Sequence, residues 1–157
     1  MEELSTPQLM RYSRHIMLKN MDIDGQEKLW NSKVLIIGMG GLGCAAAQYL
    51  AASGVGELTL VDDDSVDITN LQRQVLHTEA NIGVNKCLSA KASLAAINSE
   101  ITINVYSHRL SAEPLTAAIN AHDIVIDCCD NLATRNELNN HCYQQGKTLV
   151  SGAAIRM

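Results

Sequence analysis

Short apolar runs alternate with alanine-rich or amphipathic stretches along most of this chain. The runs are rich in Val, Ile and Leu, a pattern typical of strands buried on both faces of a parallel sheet. Strands are therefore predicted at 34–37, 58–61, 101–105, 124–127 and 148–150, with helices at 42–53, 84–98, 112–120 and 131–145. Repeated alternation of this kind predicts an α/β fold, a Rossmann-like parallel sheet with helices on both faces.

The N-terminal region has a different pattern, which predicts a helical segment ahead of the sheet. Ser5 and Pro7 supply a cap and a first-turn proline, and the apolar spacing that follows predicts one helix over about 7–19. A short second helix is predicted at 26–31. Residues 62–83 form a long polar stretch after a strand, and long insertions there tend to be functional.

Length, charge and hydropathy indicate how many domains the chain has and which kinds of partner it lacks. A chain of 157 residues with 46% apolar residues predicts one compact domain over 1–157. Twelve basic against seventeen acidic residues give a net charge of −5, so no nucleic-acid partner is expected. No apolar run approaches the roughly 18 residues of a membrane span, and the polar N-terminus is no signal peptide. We therefore expect a cytoplasmic protein with no membrane partner.

The cysteines do not form a recognisable ligand or disulfide pattern. Cys44, Cys87, Cys128, Cys129 and Cys142 include no Cys-x-x-Cys pair. Because free cysteine behaves as a small apolar residue, buried reduced thiols are the prediction.

The motif Gly38-Met39-Gly40-Gly41-Leu42-Gly43 fits G-x-G-x-x-G between a predicted strand and a predicted helix. Such a turn lets backbone N–H groups approach a phosphate, and the start of the helix favours negative charge. A tight structural turn is the alternative interpretation. The motif predicts a nucleotide but does not separate NAD, FAD and ATP.

Charged residues beyond the turn narrow the choice of nucleotide. Asp62 ends the second predicted strand about 20 residues after the turn, where an acidic side chain receives ribose hydroxyls. Asp63 and Asp64 are interpreted as solvated turn residues. Arg73 and Lys86 add two cations, which suit the β- and γ-phosphates of a triphosphate better than the single pyrophosphate of a dinucleotide.

Asp130 follows the fourth predicted strand, at the edge where open α/β sheets bind ligands. Its carboxylate suits Mg²⁺ held together with substrate phosphate and water. An N-cap for the next helix is an equally consistent role.

These features together resemble the E1-like superfamily of ThiF, HesA and MoeB. The matching residues are Gly38 to Gly43, Asp62, Asn70-Leu71-x-Arg73-Gln74, Lys86 and Asp127-Cys-x-Asp-Asn131. The resemblance covers the whole chain and includes 11–14 and 24–26, and residues 151–157 look most like the molybdopterin-pathway members.

The resemblance implies ATP-dependent adenylylation of the C-terminal glycine of a small ubiquitin-like sulfur-carrier protein with a Gly-Gly end, most of all in molybdopterin (molybdenum cofactor) biosynthesis. It also implies a homodimer in which Arg14 reaches the partner's ATP. By similarity Arg14, Arg73, Lys86 and Asp130 are catalytic, with Asp130 holding magnesium. The nucleotide contacts implied are Gly38, Gly40, Gly41, Gly43, Asp62, Thr69, Asn70, Leu71, Gln72, Arg73, Lys86, Asp130 and Asn131.

The sequence departs from the family pattern in three ways. Thr69 and Cys129 stand where serine and threonine are commoner in the family. Family members also continue past this point with further strands and two Cys-x-x-Cys zinc pairs, so zinc is expected in the family but its ligands are absent from these residues. We expect a truncated or shortened chain with an incomplete sheet that lacks the C-terminal part of the adenylation domain. A thiamin-pathway carrier, an NAD-dependent oxidoreductase and a non-catalytic nucleotide-binding module remain alternatives.

Overall fold

The computed structural model describes residues 2–154 and contains one parallel sheet. Its strands are β1 Lys33–Ile37, β2 Glu57–Val61, β3 Thr102–Tyr106, β4 Ile124–Asp127 and β5 Thr148–Ser151. They are ordered β3-β2-β1-β4-β5, and every neighbouring pair is parallel. The predicted α/β, Rossmann-like fold is confirmed. Of the stretch 151–157 used for the resemblance, residues 155–157 lie outside the described part of the chain.

Seven helices accompany the sheet in the described residues. They are α1 Thr6–Arg11, α2 Ser13–Ile16, α3 Asp22–Trp30, α4 Gly41–Ser53, α5 Lys86–Ile97, α6 Ala112–Ala121 and α7 Leu132–Gln144. Two 3₁₀ turns, Ile68–Asn70 and Glu79–Asn81, lie in the polar stretch between β2 and α5. Across residues 2–154, none of the helices combines the length and the hydrophobicity that a bilayer span requires.

Strand side chains alternate between two apolar clusters, one on each face of the sheet. Ile36 and Leu58 pack with the α4 and α5 residues on one face. Leu35 and Val125 pack with α6 and α7 on the other. Because both faces are covered, the strands carry continuous apolar runs rather than alternating ones.

The prediction of a single N-terminal helix over 7–19 is wrong. The helix is interrupted at Tyr12, whose backbone (φ −96°, ψ 12°) is not helical and whose side chain is only 2% exposed. The Tyr12 ring lies against Gly54, and Asn98 Nδ2 donates to the Tyr12 hydroxyl at 2.9 Å. The apolar spacing was misleading because Met10 and Met17 are exposed, whereas the buried contact is made by a tyrosine between them. The next helix begins at 22 rather than 26.

The cysteines are free thiols, four of them buried and Cys128 half-buried. Burial raises the pKa of Cys87 and of Cys129 to about 12, and that of Cys44 to about 11. Very little thiolate is therefore present near neutral pH, as expected of thiols that pack rather than react.

The strand order places two loops side by side at one edge of the sheet. β1 lies between β2 and β4, so the chain leaves β1 for one side and later returns to the other. The turns after β1 and β4 therefore meet at the carboxyl edge, the position where open α/β sheets bind ligands.

Candidate functional site

A cavity of about 1010 Å³ opens at this carboxyl edge. Its walls come from the glycine turn after β1, the polar stretch after β2, the start of α5 and the loop after β4. Among the predicted site residues, it is lined by Gly38, Gly40, Gly41, Asp62, Asn70, Arg73, Lys86, Asp130 and Asn131.

Other predicted site residues do not line the cavity. Leu71 and Gln72 are not part of the wall, and the Thr69 hydroxyl is turned to Asp67 Oδ1 at 2.6 Å. Gly43 is buried within α4, where a Cβ would collide with the Gly38 carbonyl oxygen, so its lack of a side chain serves packing. Arg14 is exposed on α2 and does not reach the cavity of its own chain.

The glycine turn is shaped by its neighbours and leaves backbone donors at the cavity. Gly38 has φ 95°, and a Cβ there would stand 2.9 Å from the Cys128 carbonyl oxygen, so only glycine fits. Within the described residues, the N–H groups of Gly40, Gly41 and Leu42 have no acceptor. They are the unpaired donors at the start of the thirteen-residue helix α4, which makes this edge attractive to an anion.

Asp62 connects the glycine turn to the loop after β2. Its Oδ2 accepts from Met39 N at 2.6 Å, and its Oδ1 accepts from Asp64 N at 2.8 Å. Burial raises the pKa of Asp62 above its ordinary value, although these two N–H donors oppose the shift. A carboxylate has about four lone-pair sites, so acceptor capacity remains for ligand hydroxyls.

Lys86 begins α5 and forms an ion pair at the cavity wall. Its Nζ lies 2.7 Å from Asp64 Oδ2, and its side chain is only 8% exposed, against 67% for Asp64. Asn85 fixes this arrangement, because its side chain caps α5 and also donates to the carbonyl oxygens of Asp62 and Asp64. Asp64 is exposed and lies outside the helices and strands, as predicted, but its pairing with Lys86 was not predicted.

Arg73 reaches the same wall from the polar stretch. Its Nη1 donates to Thr69 O at 3.2 Å, and its Cγ lies 3.5 Å from where a Cβ on Gly41 would stand. The Arg73 side chain therefore runs beside the first turn of α4, close to the unpaired N–H groups. Positive charge and backbone donors thus converge on one part of the cavity.

Asp130 does not cap α7. That role belongs to Asn131, whose side chain accepts from Thr134 N at 2.9 Å. Asp130 is exposed, and within residues 2–154 its carboxylate makes no hydrogen bond or ion pair. The cavity is lined with N–H groups and cations that can bind phosphate. An exposed carboxylate beside them fits a hard cation that is shared with the phosphate.

Two further polar residues at the cavity were not predicted as site residues. Arg135 holds the loop after β4, because its guanidinium donates to Cys129 O and lies 3.5 Å from the buried Asp127 carboxylate. Gln74 is 3% exposed, and its Oε1 is buried with no hydrogen-bond partner in the described part of the chain. Gln74 belonged to the matched motif, which was the available signal. Nothing in the sequence linked Arg135 to Asp127.

Comparison with known proteins identifies the family of this chain and its relatives. Residues 12–157 match the ThiF family, and the chain belongs to that family. It is 51% identical to the molybdopterin-synthase adenylyltransferase of Salmonella typhimurium over 100% of this chain and 63% of that protein. It is 54% identical to the enzyme of the same name from Haemophilus influenzae, covering 100% of this chain and 65% of that protein.

A solved structure shares the fold at lower identity. Escherichia coli MccB, crystallised with AMPCPP and MccA, superposes with a TM-score of 0.79 at 30% identity, over 92% of this chain and 44% of MccB. The chain thus spans less than two thirds of the length of each of these three proteins.

Proposed function

We propose that this chain is the nucleotide-binding part of an enzyme that adenylylates the C-terminal glycine of a small ubiquitin-like sulfur-carrier protein, in molybdopterin biosynthesis. The observation that carries the proposal is the convergence of the free N–H groups of the glycine turn with Arg73 and Lys86 at one cavity. Relatives named molybdopterin-synthase adenylyltransferase at 51–54% identity support this choice of reaction and pathway.

In the proposed complex, the ribose of ATP lies at Asp62 and the phosphates lie at the glycine turn. Asp62 would receive the ribose hydroxyls with its remaining lone pairs, and the phosphates would then lie along the start of α4. Arg73 and Lys86 lie beside the anion-attracting start of α4, and a triphosphate has more negative charge for these cations to neutralise than the pyrophosphate of a dinucleotide has, which favours ATP. The presence of AMPCPP in the MccB crystal supports a nucleotide of this kind.

The reaction requires alignment and charge stabilisation rather than a protein nucleophile. A carboxylate oxygen of the carrier's terminal glycine attacks the α-phosphorus, forming an acyl-phosphate bond. The bond from that phosphorus to the bridging oxygen breaks, and pyrophosphate leaves with the electron pair. Fixed cations and backbone donors that face the leaving oxygens lower the barrier without reorganisation.

Asp130 is the residue proposed to hold magnesium, which when bound would neutralise phosphate charge. Its free, exposed carboxylate fits that ligand. Arg14 is proposed to act on the nucleotide of a second copy, because it does not reach the cavity of its own chain. Residues 1–157 would then be one unit of a cytoplasmic homodimer.

The proposal is tested by carrier-dependent exchange of labelled pyrophosphate into ATP, together with calorimetric titration of ATP, NAD and FAD. We expect ATP binding and exchange by the wild-type chain, and loss of both in Arg73→Ala. Lys33→Ala is the matched control, because Lys33 is an exposed cation paired with Glu57 at the start of β1, away from the cavity.

Each outcome decides between functions. ATP binding without exchange would show that these residues bind the nucleotide but do not adenylylate a carrier by themselves, which is the behaviour of a non-catalytic nucleotide-binding module. Binding of NAD in preference to ATP would support an oxidoreductase. Exchange that survives Arg73→Ala unchanged would remove Arg73 from the site.

A further inference from the structure

A buried polar cluster lies beneath the glycine turn. His77 is 5% exposed, and Ser89, Cys44 and Met39 are at most 1% exposed. His77 Nε2 lies 3.2 Å from the Met39 carbonyl oxygen, and Nδ1 lies 2.9 Å from Ser89 Oγ. The Cys44 thiol also donates to the Met39 carbonyl oxygen, at 3.4 Å. None of these four residues lines the cavity.

The partners of His77 favour the proton on Nε2. The Met39 carbonyl oxygen at 3.2 Å can only accept, and it lies closer to Nε2 than the Cys44 thiol does at 3.5 Å, so the assigned tautomer is the one in which Nε2–H donates to Met39. In the neutral ring Nδ1 then accepts from the Ser89 hydroxyl. Burial lowers the pKa of His77 below its ordinary value of 6.5, which favours this neutral form at neutral pH.

The Met39 carbonyl determines where the next N–H points. All peptide bonds described are trans, and in a trans peptide the C=O and the following N–H point in opposite directions. Because the Met39 oxygen is directed inward to His77 and Cys44, the Gly40 N–H is directed outward. Gly40 lines the cavity, and its N–H is one of the unpaired donors.

This peptide requires an anchor because glycine resists rotation poorly. Rotation of the Met39–Gly40 peptide changes mainly ψ of Met39 and φ of Gly40, and glycine tolerates either sign of φ. A rotated peptide would present a carbonyl oxygen to the cavity and repel phosphate. The Met39 N–H is already fixed by Asp62, so His77 completes the restraint on the Met39 backbone.

We propose that His77 is a positioning residue: through its Nε2–H it holds the Met39–Gly40 peptide so that the Gly40 N–H faces the phosphate of a bound nucleotide. The inference rests on the proposed function, since it needs a nucleotide in the cavity. It predicts that the polar character of His77, rather than its volume, matters for phosphate affinity.

The test compares His77→Leu, which fills space without a donor, with His77→Gln, whose amide can still donate to the Met39 carbonyl. His122→Leu is the matched control. His122 is also buried and also bonds through both nitrogens, to Ala118 O and Thr59 Oγ1, far from the glycine turn. Thermal unfolding of each variant shows which of them are folded.

Binding of ATP and of adenosine to the 157-residue chain provides the readout, together with the ¹⁵N–¹H chemical shift of Gly40. We expect His77→Leu to weaken ATP binding about tenfold, the loss of one oriented hydrogen bond, and to leave adenosine binding unchanged. His77→Gln should stay within about twofold of wild type for ATP. His122→Leu should lower stability without changing ATP affinity.

The inference is overturned if folded His77→Leu binds ATP as wild type does, or loses ATP and adenosine binding equally. If His77→Leu does not fold, His77→Gln decides, because weak ATP binding with an unshifted Gly40 amide would show that His77 does not act through the Gly40 N–H. Failure of the wild-type chain to bind ATP would instead overturn the proposed function, so the two failures are distinguishable.

Discussion

The Lys86–Asp64 pair predicts that the two partners have opposite importance for binding and for stability. The Lys86 side chain is 8% exposed, whereas that of Asp64 is 67% exposed, and the charged atoms lie 2.7 Å apart. Removing the exposed Asp64 leaves the buried Lys86 ammonium without a partner. Removing the buried Lys86 leaves the Asp64 carboxylate exposed to water. The two substitutions Lys86→Met and Asp64→Ala separate these effects.

The expected magnitudes follow from this asymmetry. Lys86→Met should change the free energy of unfolding by about 1 kcal/mol or less, because Asp64 is solvated once released. Asp64→Ala should lower it by about 1–3 kcal/mol, because the Lys86 ammonium loses its partner in a mostly buried position. For ATP affinity, the substitution with the larger effect is Lys86→Met rather than Asp64→Ala. Lys86→Met should weaken binding by about 10- to 150-fold, the loss of a hydrogen bond to a charged group.

Urea denaturation and calorimetric titration of ATP measure the two quantities on the same samples. Asp64→Ala should leave ATP affinity unchanged or strengthen it by up to about fivefold, since one negative charge is removed beside the phosphates. Lys33→Met and Glu57→Ala provide a control pair, 3.3 Å apart and with neither side chain buried, for which small changes in stability and none in binding are expected.

Two results would refute the reasoning. Equal destabilisation by Lys86→Met and Asp64→Ala would mean that the burial asymmetry does not govern the pair. Loss of ATP binding in a folded Asp64→Ala variant, comparable with that in Lys86→Met, would mean that Asp64 contributes to nucleotide binding as much as Lys86 does.

Three further predictions concern groups beside the cavity. Gln74→Met should raise the free energy of unfolding, measured in urea melts, by about 1 kcal/mol or more, because it removes a buried amide oxygen that has no partner in the described residues. The same substitution should weaken ATP binding. Reduced stability of Gln74→Met would contradict the prediction. Arg135→Ala should cost about 3–5 kcal/mol, since the Asp127 side chain is buried and loses its guanidinium partner. Arg109→Ala, which breaks a more exposed pair with Glu137, should cost about 1 kcal/mol or less, and similar losses for the two variants would argue against a buried pair. Burial lowers the pKa of His77 in the folded chain, so its contribution to stability is full above pH 6.5 and is lost as pH falls from there through its folded pKa. The charge of Lys86 lowers the pKa of His77 further, whereas that of Asp62 raises it. His77→Gln should flatten that part of the curve of stability against pH.

The sequence was sufficient for the sheet and for the carboxyl-edge location of the site. Continuous β-branched runs such as 34–37 predict buried parallel strands. Glycine marks positions where no side chain fits, as at Gly38, so the turn after the first strand could be recognised from the sequence. Because the ends of parallel strands meet at one edge, Asp62 and Asp130 could be brought together with the glycine turn without knowledge of contacts.

The parts that could not be predicted depend on partners distant in the sequence. Asn98 bonds to Tyr12 across 86 positions, and the N-terminal helix is interrupted at this tyrosine, although local apolar spacing favoured continuity. Arg135 pairs with Asp127, and His77 reaches back to Met39 across 38 positions. Each is a buried polar contact whose partner is chosen by packing rather than by a local pattern, so neither periodicity nor motif spacing reports it.

Helix α4 has a consequence for how catalysis scales with protein concentration. Its thirteen residues span about 20 Å, with the glycine turn at one end and Gly54, against which Tyr12 packs, at the other. Arg14 lies two positions after Tyr12 and is therefore held near the end of the helix opposite the cavity. If Arg14 contributes to the reaction, it must do so in another copy of the chain, and at dilutions where the copies separate the rate should follow the second power of protein concentration.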